Sequence, residues 1–284
     1  QVDADAKMLG LVKKISVGLC ADARTAAEAL QMRLNSRALA CAANREQRRT
    51  EIAQEKAAWE AELDAWPQER DPWSLEVAKD SPAMHPRQML RELEKALPTD
   101  AMVSTDIGNI CSVANSYLRF DRPRSFFAAM SFGNCGYAFP AIIGAKLAAP
   151  ERPAVAYVGD GAWGMSFGEL LTCVREKIPV TAVVFHNRQW GAEKKNQVDF
   201  YGNRFVGSNL ENPSFASIAR AMGAEGIVVD KLADAGPALA AACAAQKEGR
   251  TTVLEMMVTR ELGDPFRRDA LRKPLRLLEK YKNC

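Results

Sequence analysis

The stretch that decides the fold reads Val155-Ala156-Tyr157-Val158-Gly159-Asp160-Gly161, an apolar run that ends in Gly-Asp-Gly. We predict a buried strand over this run, with Asp160 at its carboxyl end. Ligands of open α/β sheets gather at that edge. The two glycines permit a sharp turn and a close approach by a ligand, and Asp160 offers a hard oxygen to a cation. By itself, the triplet also fits an ordinary polar turn between a strand and a helix.

A second predicted strand favours a cation-binding role for the triplet over an ordinary turn. Residues 180–185 form another largely apolar run, which leads into His186 and places Asn187 27 positions after Asp160. Adjacent parallel strands bring their carboxyl ends to one sheet edge. A carboxylate, an amide oxygen and a backbone carbonyl form a partial shell for Mg²⁺, which a diphosphate and water complete. The sequence therefore predicts that Asp160 and Asn187 bind one Mg²⁺ ion together.

Strands and helices alternate from about residue 86 onward, which predicts an α/β fold with a parallel sheet and helices on both faces. The candidate strands are residues 102–105, 126–129, 154–158, 180–185, 226–229 and 252–258. A helix predicted over residues 215–222 has Asn212 as its candidate capping residue. Ser166 and Glu169 have the spacing of a capping box, which predicts the start of the helix after Gly-Asp-Gly.

Composition divides the chain before this domain. The first residues predict two short strands and a helix, the tail of a central α/β domain that is too small to bury its own sheet. A connector rich in Ala, Glu, Arg and Gln follows, and then a linker with four prolines between positions 67 and 86. The sequence opens on Gln1 without Met, so we expect a missing segment upstream. The predicted regions are residues 1–35, 36–85, 86–260 and 261–284.

Composition also excludes several classes of function. The 38 basic and 35 acidic residues give a net charge of +3, which is too balanced to indicate binding to nucleic acid. Seven dispersed cysteines and two histidines support neither a disulfide framework nor a zinc site, and they fit a reducing cytoplasm. No apolar run approaches the roughly 18 to 20 residues that cross a bilayer, so we predict no membrane partner.

The Gly-Asp-Gly triplet, a helix, a strand and then Asn187 resemble the signature of the thiamine diphosphate enzyme family, which includes acetolactate synthase and 2-oxo acid decarboxylases. The resemblance implies a thiamine diphosphate-binding fold, with thiamine diphosphate and Mg²⁺ as cofactors. It also implies that Asp160, Asn187 and the main-chain carbonyl of Gln189 hold the metal. His186 stands where the family usually has a second Asn, and we expect no effect of this change on coordination.

Two further segments resemble the same family. Residues 133–146 are similar to its glycine-rich turn and buried helix, and Cys135 falls where acetolactate synthases place a Met against the aminopyrimidine ring. Between a catalytic thiol and a packing role for Cys135, we favour packing. Residues 106–110 lie where relatives bind the diphosphate, although they also fit a helix-capping loop. The resemblance implies cofactor contacts from Gly108, Asn109, Ile110, Asn134, Cys135, Gly159, Asp160, Gly161, Ala162, Asn187, Trp190 and Gly191.

Residues 187–197, 200–207 and 261–271 resemble the branch of this family that cleaves sulfoacetaldehyde. That resemblance implies an acetyltransferase that converts sulfoacetaldehyde and phosphate to acetyl phosphate and sulfite. The alternatives are an enzyme like acetolactate synthase or a 2-oxo acid decarboxylase, and, from another class, a non-catalytic cofactor-binding or scaffold subunit. A nicotinamide enzyme is disfavoured, because no GxGxxG follows a first strand with an acidic residue roughly 20 positions later.

The family needs a Glu on a separate pyrimidine-binding domain, and no segment here resembles that domain. We expect the domain upstream or on another chain, in a homodimer or homotetramer, and we assign no catalytic acid or base within this chain. The implied substrates are small anions, so cations after the metal motif are candidate ligands, although solvated surface positions are the better interpretation for any one of them. These cations are Arg188, Lys194, Lys195, Arg204, Arg267 and Arg268.

Overall fold

A computed structural model describes residues 1–36, 42–65, 84–130 and 132–260. Residues 1–36 and 42–60 belong to one compact unit, and the described residues from 61 to 260 belong to another. Within these ranges no helix combines the length and the apolar character that crossing a bilayer requires.

The first unit contains a two-stranded parallel sheet, β1 (Val2–Asp3) and β2 (Leu19–Cys20), followed by helix α1 (Ala23–Asn35). The Asp22 carboxylate accepts hydrogen bonds from the backbone N–H groups of Arg24 and Thr25 at 2.9 and 3.2 Å, so it caps the helix. Helix α2 (Ala42–Ala65) is exposed from residue 44 to residue 58 and contributes its last residues to the second unit.

The second unit is built on a six-stranded sheet in which every pairing is parallel. Its strands are β3 (Met102–Thr105), β4 (Phe126–Ala128), β5 (Ala154–Gly159), β6 (Thr181–His186), β7 (Glu225–Val229) and β8 (Thr252–Met257). Their order across the sheet is β4-β3-β5-β6-β8-β7. Each strand ends within one residue of its predicted bounds, and the predicted fold class is confirmed.

Helices connect these strands. They are α3 (Pro86–Ala96), α4 (Asn109–Ala114), α5 (Ala138–Ala148), α6 (Asp160–Ser166), α7 (Leu170–Arg175), α8 (Gly191–Tyr201), α9 (Phe215–Ala221) and α10 (Leu232–Ala245). The predicted capping box is wrong, because α6 already begins at Asp160 and the Ser166 side chain makes no capping bond. The capping role predicted for Asn212 is also wrong, because the Ser214 hydroxyl accepts a hydrogen bond from the Ser217 N–H at 3.2 Å at the start of α9.

The core has two sides because alternate residues of each strand face opposite ways. Ala154, Ala156 and Val158 of β5 lie in one apolar cluster with side chains of α5 and α9. Tyr157 belongs to the opposite face, where its ring packs edge-on against Phe185 with 5.5 Å between ring centroids. Burial on both faces explains why these strands are apolar throughout their length.

The strand order places a binding crevice at the centre of the sheet. β4 and β5 lie on opposite sides of β3, so the direction in which the chain crosses the sheet reverses there. In open α/β sheets, ligands bind outside the carboxyl ends of the strands at such a reversal. The same edge carries the residues that follow β5 and β6, namely Asp160 and Asn187.

Gly226 of β7 lies directly against the backbone of α9. A Cβ atom at this position would lie 2.8 Å from the Cα of Ala216 and closer still to its carbonyl group. Because backbone atoms cannot rotate away as a side chain does, we expect Gly226→Ala to lower the free energy of unfolding by about 2 kcal/mol. Urea denaturation would measure this, with Gly168→Ala as the control, since a Cβ at Gly168 meets nothing within 4 Å. Equal stability of both variants would contradict the prediction.

Candidate functional site

A cleft of about 500 Å³ lies at the carboxyl ends of the central strands. Residues from three segments line it, the first after β3 (residues 107–111), the second after β5 (residues 159–162) and the third around the end of β6 (residues 185–193). Cys135, from the turn before α5, completes the lining that the structure describes. The cleft therefore occupies the crevice that the strand order predicts.

Most of the predicted site residues come together here. Those that line the cleft are Gly108, Asn109, Cys135, Gly159, Asp160, Gly161, Ala162, Asn187, Gln189, Trp190 and Gly191. Asn134 is not among them, because the turn between Gly133 and Gly136, whose φ angles are +78° and +79°, presents Cys135 to the cleft and leaves Asn134 exposed. Ile110 lies in α4, but its side chain falls outside the described residues.

Sequence reasoning missed five lining residues. They are Ile107, Cys111, Phe185, Ala192 and Glu193. Each lies within two positions of a predicted site residue, so the signal that could have found them was simple adjacency to the motifs. The acidic residue Glu193 is the most consequential omission, because it adds a second carboxylate to the cleft.

Asp160 has a buried carboxylate whose two oxygens are both engaged. Its Oδ1 accepts a hydrogen bond from the Gly161 N–H at 2.9 Å. Its Oδ2 accepts from the backbone N–H of Arg188 at 2.6 Å and from the Asn212 side-chain amide at 3.1 Å. Burial raises the pKa of Asp160 from 3.8 to about 6, although the electrostatic influence of His186 and these hydrogen bonds oppose the rise. A bound cation would offset that cost of burying the charge.

A constrained turn follows β6. Arg188 has φ +55°, in the left-handed region, and this conformation accompanies the short bond from its N–H to Asp160. Asn187 Oδ1 accepts from the Gln189 N–H at 3.2 Å. Arg260 Nε donates to the Asn187 carbonyl at 3.2 Å, and the Gln189 side-chain amide donates to the Arg260 carbonyl at 3.0 Å. The chain leaving β8 therefore holds the turn that presents Asn187.

A buried hydrogen-bonded pair of side chains, His186 and Glu255, lies between β6 and β8. His186 Nδ1 is 2.7 Å from Glu255 Oε1, and each side chain is only 2% exposed. Glu255 Oε2 accepts hydrogen bonds from the Ser214 hydroxyl at 2.7 Å and from the Ala216 N–H at 2.9 Å. Burial alone would raise the pKa of Glu255, but these bonds, led by the one to His186, outweigh it and hold the pKa below its usual value.

Trp190 forms one wall of the cleft against a glycine. A Cβ atom at Gly161 would lie 2.8 to 2.9 Å from three atoms of the Trp190 indole, so the ring packs directly on the Gly161 backbone. The backbone N–H of Trp190 donates to the Ser208 carbonyl at 2.8 Å, which fixes the backbone that carries the ring. The absence of a side chain at Gly161 is thus required by this packing.

The sequence model described as the C-terminal TPP binding domain of thiamine pyrophosphate enzymes matches residues 106–256. The chain belongs to the thiamine pyrophosphate enzyme family. Thiamine pyrophosphate is another name for thiamine diphosphate, so the family resemblance carried by Gly-Asp-Gly and Asn187 is confirmed. The matched residues include all three segments that line the cleft.

The most informative relatives are two sulfoacetaldehyde acetyltransferases. The protein of Castellaniella defragrans is 68% identical over the whole chain, which covers 48% of that protein. The protein of Alcaligenes xylosoxydans xylosoxydans is 64% identical over the whole chain, which covers 49% of it. The chain thus spans about half the length of the curated relatives it matches. A solved structure, the thiamine diphosphate-dependent 4-hydroxybenzoylformate decarboxylase of Rhodococcus jostii RHA1, shares the fold with TM-score 0.59 and 23% identity over 63% of this chain and 33% of that chain.

The residues of the cleft fit the groups that a thiamine pyrophosphate enzyme binds. Among the described residues, no three His, Cys, Asp or Glu side chains are placed to hold one metal ion, so a cation beside Asp160 would rely on that carboxylate with amide and carbonyl oxygens. Such hard oxygens suit Mg²⁺ when a diphosphate supplies further ligands. A Cβ atom at Gly108 or Gly159 would meet nothing within 4 Å, so both positions leave room for a ligand beside the backbone.

The candidate cations do not reach this cleft in the described part of the chain. None of Arg188, Lys194, Lys195 and Arg204 is among the residues that line it. Lys194 Nζ lies 3.0 Å from Asn209 Oδ1, and Lys195 Nζ forms an ion pair with Asp199 at 2.7 Å. Arg267 and Arg268 lie outside the described residues, so their roles stay predictions.

We expect Gly161→Ala to displace the Trp190 ring and to weaken binding of thiamine diphosphate about tenfold, or about 1.4 kcal/mol. A titration of tryptophan fluorescence with cofactor at saturating Mg²⁺ would measure both the environment of the ring and the dissociation constant. Gly164→Ala lies in the same helix and is the matched control, because a Cβ there meets nothing within 4 Å. Wild-type affinity in Gly161→Ala would show that the cleft tolerates a moved ring.

Proposed function

We propose that this chain is the cofactor-binding half of an acetyltransferase that converts sulfoacetaldehyde and phosphate to acetyl phosphate and sulfite. The observation that carries the proposal is the 68% identity to a sulfoacetaldehyde acetyltransferase along the whole chain. The cleft supports it, since the residues expected to hold the diphosphate and the metal line one crevice. The proposed activity belongs to the full-length protein.

In the proposed site, Asp160, Asn187 and the main-chain carbonyl of Gln189 hold Mg²⁺, which in turn holds the diphosphate. When bound there, thiamine diphosphate would supply the nucleophilic carbon that an aldehyde substrate requires. The chain supports that chemistry by orientation, because Trp190 packs on Gly161 and limits the width of the cleft. Cys135 lies at the cleft wall, where a packing role beside the cofactor ring is expected.

The proposal includes a partner domain and an oligomer. The relatives are about twice as long as this chain, which leaves room in them for a pyrimidine-binding domain. In the proposed homodimer or homotetramer, that domain supplies the Glu that touches the aminopyrimidine. The protein is proposed to act in the cytoplasm, consistent with the free cysteines of its described residues.

The deciding experiment uses the full-length protein with thiamine diphosphate, Mg²⁺, sulfoacetaldehyde and phosphate. We expect sulfite and acetyl phosphate in equal amounts, loss of both after removal of Mg²⁺ by EDTA, and recovery when Mg²⁺ is returned. Release of CO₂ from pyruvate without release of sulfite would instead indicate a 2-oxo acid enzyme. Tight cofactor binding without turnover of either substrate would indicate a non-catalytic subunit.

A further inference from the structure

Four titratable side chains line the cleft within the described ranges. They belong to Asp160, Glu193, Cys111 and Cys135. Asp160 is committed to the proposed metal and to three hydrogen bonds. Any proton transfer that this part of the chain performs on a substrate must therefore use one of the other three groups.

Neither thiol is suited to proton transfer near neutral pH. Cys111 is 1% exposed, and its Sγ donates to the Tyr157 carbonyl at 3.4 Å, while burial holds the pKa of the thiol far above its usual value. Burial also raises the pKa of Cys135, and the negative charges of Asp106 and Glu193 add to that rise. Both thiols therefore stay protonated, since only the thiolate accepts a proton readily.

The Glu193 carboxylate, in contrast, is exposed to solvent and could accept a proton from a substrate. It lies in the first turn of α8, it is exposed, and no hydrogen bond or ion pair engages it in the portion of the chain that the structure describes. Its negative charge contributes to the raised pKa of Cys135, which also lines the cleft. The next two residues behave differently, because Lys194 contacts Asn209 and Lys195 pairs with Asp199.

Glu193 also has an alternative role that is purely structural. An acidic residue in the first turn of a helix stabilises that helix through a favourable interaction with the helix dipole. That role predicts a small change in stability on substitution and no change in turnover. It does not account for a side chain that lines the cleft beside the predicted cofactor residues Trp190 and Gly191.

We infer that Glu193 is the acid–base group that this chain contributes to the cleft, and that it relocates a substrate proton. The inference rests on the proposed function. In the proposed reaction the aldehyde carbon ends as an acyl carbon and loses its C–H proton. The neighbouring carbon loses sulfite, which leaves with the electron pair of the C–S bond, and that carbon gains a proton to become the methyl group.

A single carboxylate balances these two transfers. The Glu193 carboxylate takes the proton from the aldehyde carbon and becomes a carboxylic acid. It then gives a proton to the carbon that has lost sulfite and returns to its starting state. No external oxidant or reductant is needed, because one carbon is oxidised by two electrons and its neighbour is reduced by two. Phosphate then accepts the acetyl group to give acetyl phosphate.

The first test compares Glu193→Gln with Asp199→Asn in the full-length enzyme. We expect Glu193→Gln to lower kcat at least 100-fold while KM for phosphate and the affinity for thiamine diphosphate change less than about threefold. The kcat of Glu193→Asp should be about tenfold higher than that of Glu193→Gln, because Asp restores a carboxylate. Asp199→Asn lies on the same helix and should keep wild-type kcat. Wild-type kcat in Glu193→Gln would overturn the inference.

The second test reads the position of Glu193 without any turnover. Alkylation of Cys135 by iodoacetamide, followed by peptide mass spectrometry on the cofactor-free protein, should become about twofold faster or more in Glu193→Gln. Removing a nearby negative charge raises the thiolate fraction, whereas Asp199→Asn should leave the rate unchanged. An unchanged Cys135 rate in Glu193→Gln would show that the carboxylate does not face the cleft. If the wild-type enzyme does not release sulfite from sulfoacetaldehyde, the proposed function is refuted, but this second test stays valid.

Discussion

Asp160→Ala is expected to lower kcat/KM at least 1000-fold and to abolish Mg²⁺-dependent binding of thiamine diphosphate. The substitution removes the carboxylate that lies at the carboxyl end of β5 and lines the cleft. Without it, the proposed metal keeps only amide and carbonyl oxygens, which are weak ligands compared with a charged carboxylate. Isothermal titration calorimetry with cofactor in excess Mg²⁺ would measure the loss.

The pH dependence of stability in the metal-free protein reports how costly the buried Asp160 carboxylate is. The folded-state pKa of Asp160 is raised to about 6, so its ionised form destabilises the metal-free fold. That cost is absent below about pH 4, grows as the pH rises, and is complete above about pH 6, where it amounts to about 3 kcal/mol. We therefore expect the melting temperature of metal-free wild type to rise, relative to that of Asp160→Ala, as the pH falls from about 7 to about 4. An equal change of melting temperature in the two proteins over this range would contradict this account.

Asn212→Ala provides a graded comparison for Asp160→Ala. The Asn212 amide donates to Asp160 Oδ2 at 3.1 Å, so it orients the carboxylate without lining the cleft. Loss of such a supporting bond typically weakens a metal site by about 10- to 100-fold. A weakening by Asn212→Ala as large as that by Asp160→Ala would mean that the Asn itself binds the metal or the cofactor.

The sheet could be predicted from the sequence because its signals are local. Each buried parallel strand is an apolar run bounded by turns, and burial on both faces keeps that run unbroken. The start of α6 could not be predicted in this way. Asp160 begins the helix immediately at the end of β5, and the Ser166–Glu169 spacing imitates a helix start that the chain has already passed.

The site residues that could be predicted from the sequence are those that belong to a short, recognisable motif. Gly-Asp-Gly and Asn187 were visible as motifs, and their strands bring them to one edge. The supporting contacts were not visible, because Asn212 and Arg260 lie 52 and 73 positions from the residues they bind. One neglected signal was Glu255, a charged residue inside an apolar strand, since a buried charge implies a partner somewhere in the fold.

Glu255→Gln is expected to cause the largest loss of stability among the substitutions considered. The carboxylate accepts from Ser214 and Ala216 on one oxygen and pairs with His186 on the other. An amide of the same shape has one acceptor oxygen, so at least one buried donor loses its partner and faces an N–H group instead. We expect the free energy of unfolding to fall by about 3 kcal/mol. The melting temperature should fall by roughly 6 to 12 °C.

Urea denaturation of wild type, Glu255→Gln and the control Glu225→Gln at several pH values would test this. Glu225 pairs with Arg250 at the surface, so its substitution should cost less than about 1 kcal/mol.

The pKa of Glu255 is held below its usual 4.5, so its ionised form stabilises the fold above that pH. This contribution is lost as the pH falls through the folded-state pKa. The gap between wild type and Glu255→Gln should therefore narrow below about pH 4.5. A gap that stays constant down to about pH 3, well below that usual value, would show that packing rather than charge accounts for the loss.

Glu255→Gln should also weaken the proposed metal site through a short series of contacts. Glu255 fixes Ser214 and Ala216 at the start of α9, and Asn212 lies three residues before Phe215, the first residue of that helix. Because Asn212 orients Asp160, loosening this end of α9 should weaken Mg²⁺-dependent cofactor binding by about tenfold. The double variant Glu255→Gln with Asn212→Ala should then bind no worse than Asn212→Ala alone, since both act through the same hydrogen bond. Additive losses in the double variant would mean that Glu255 influences the metal through His186 instead.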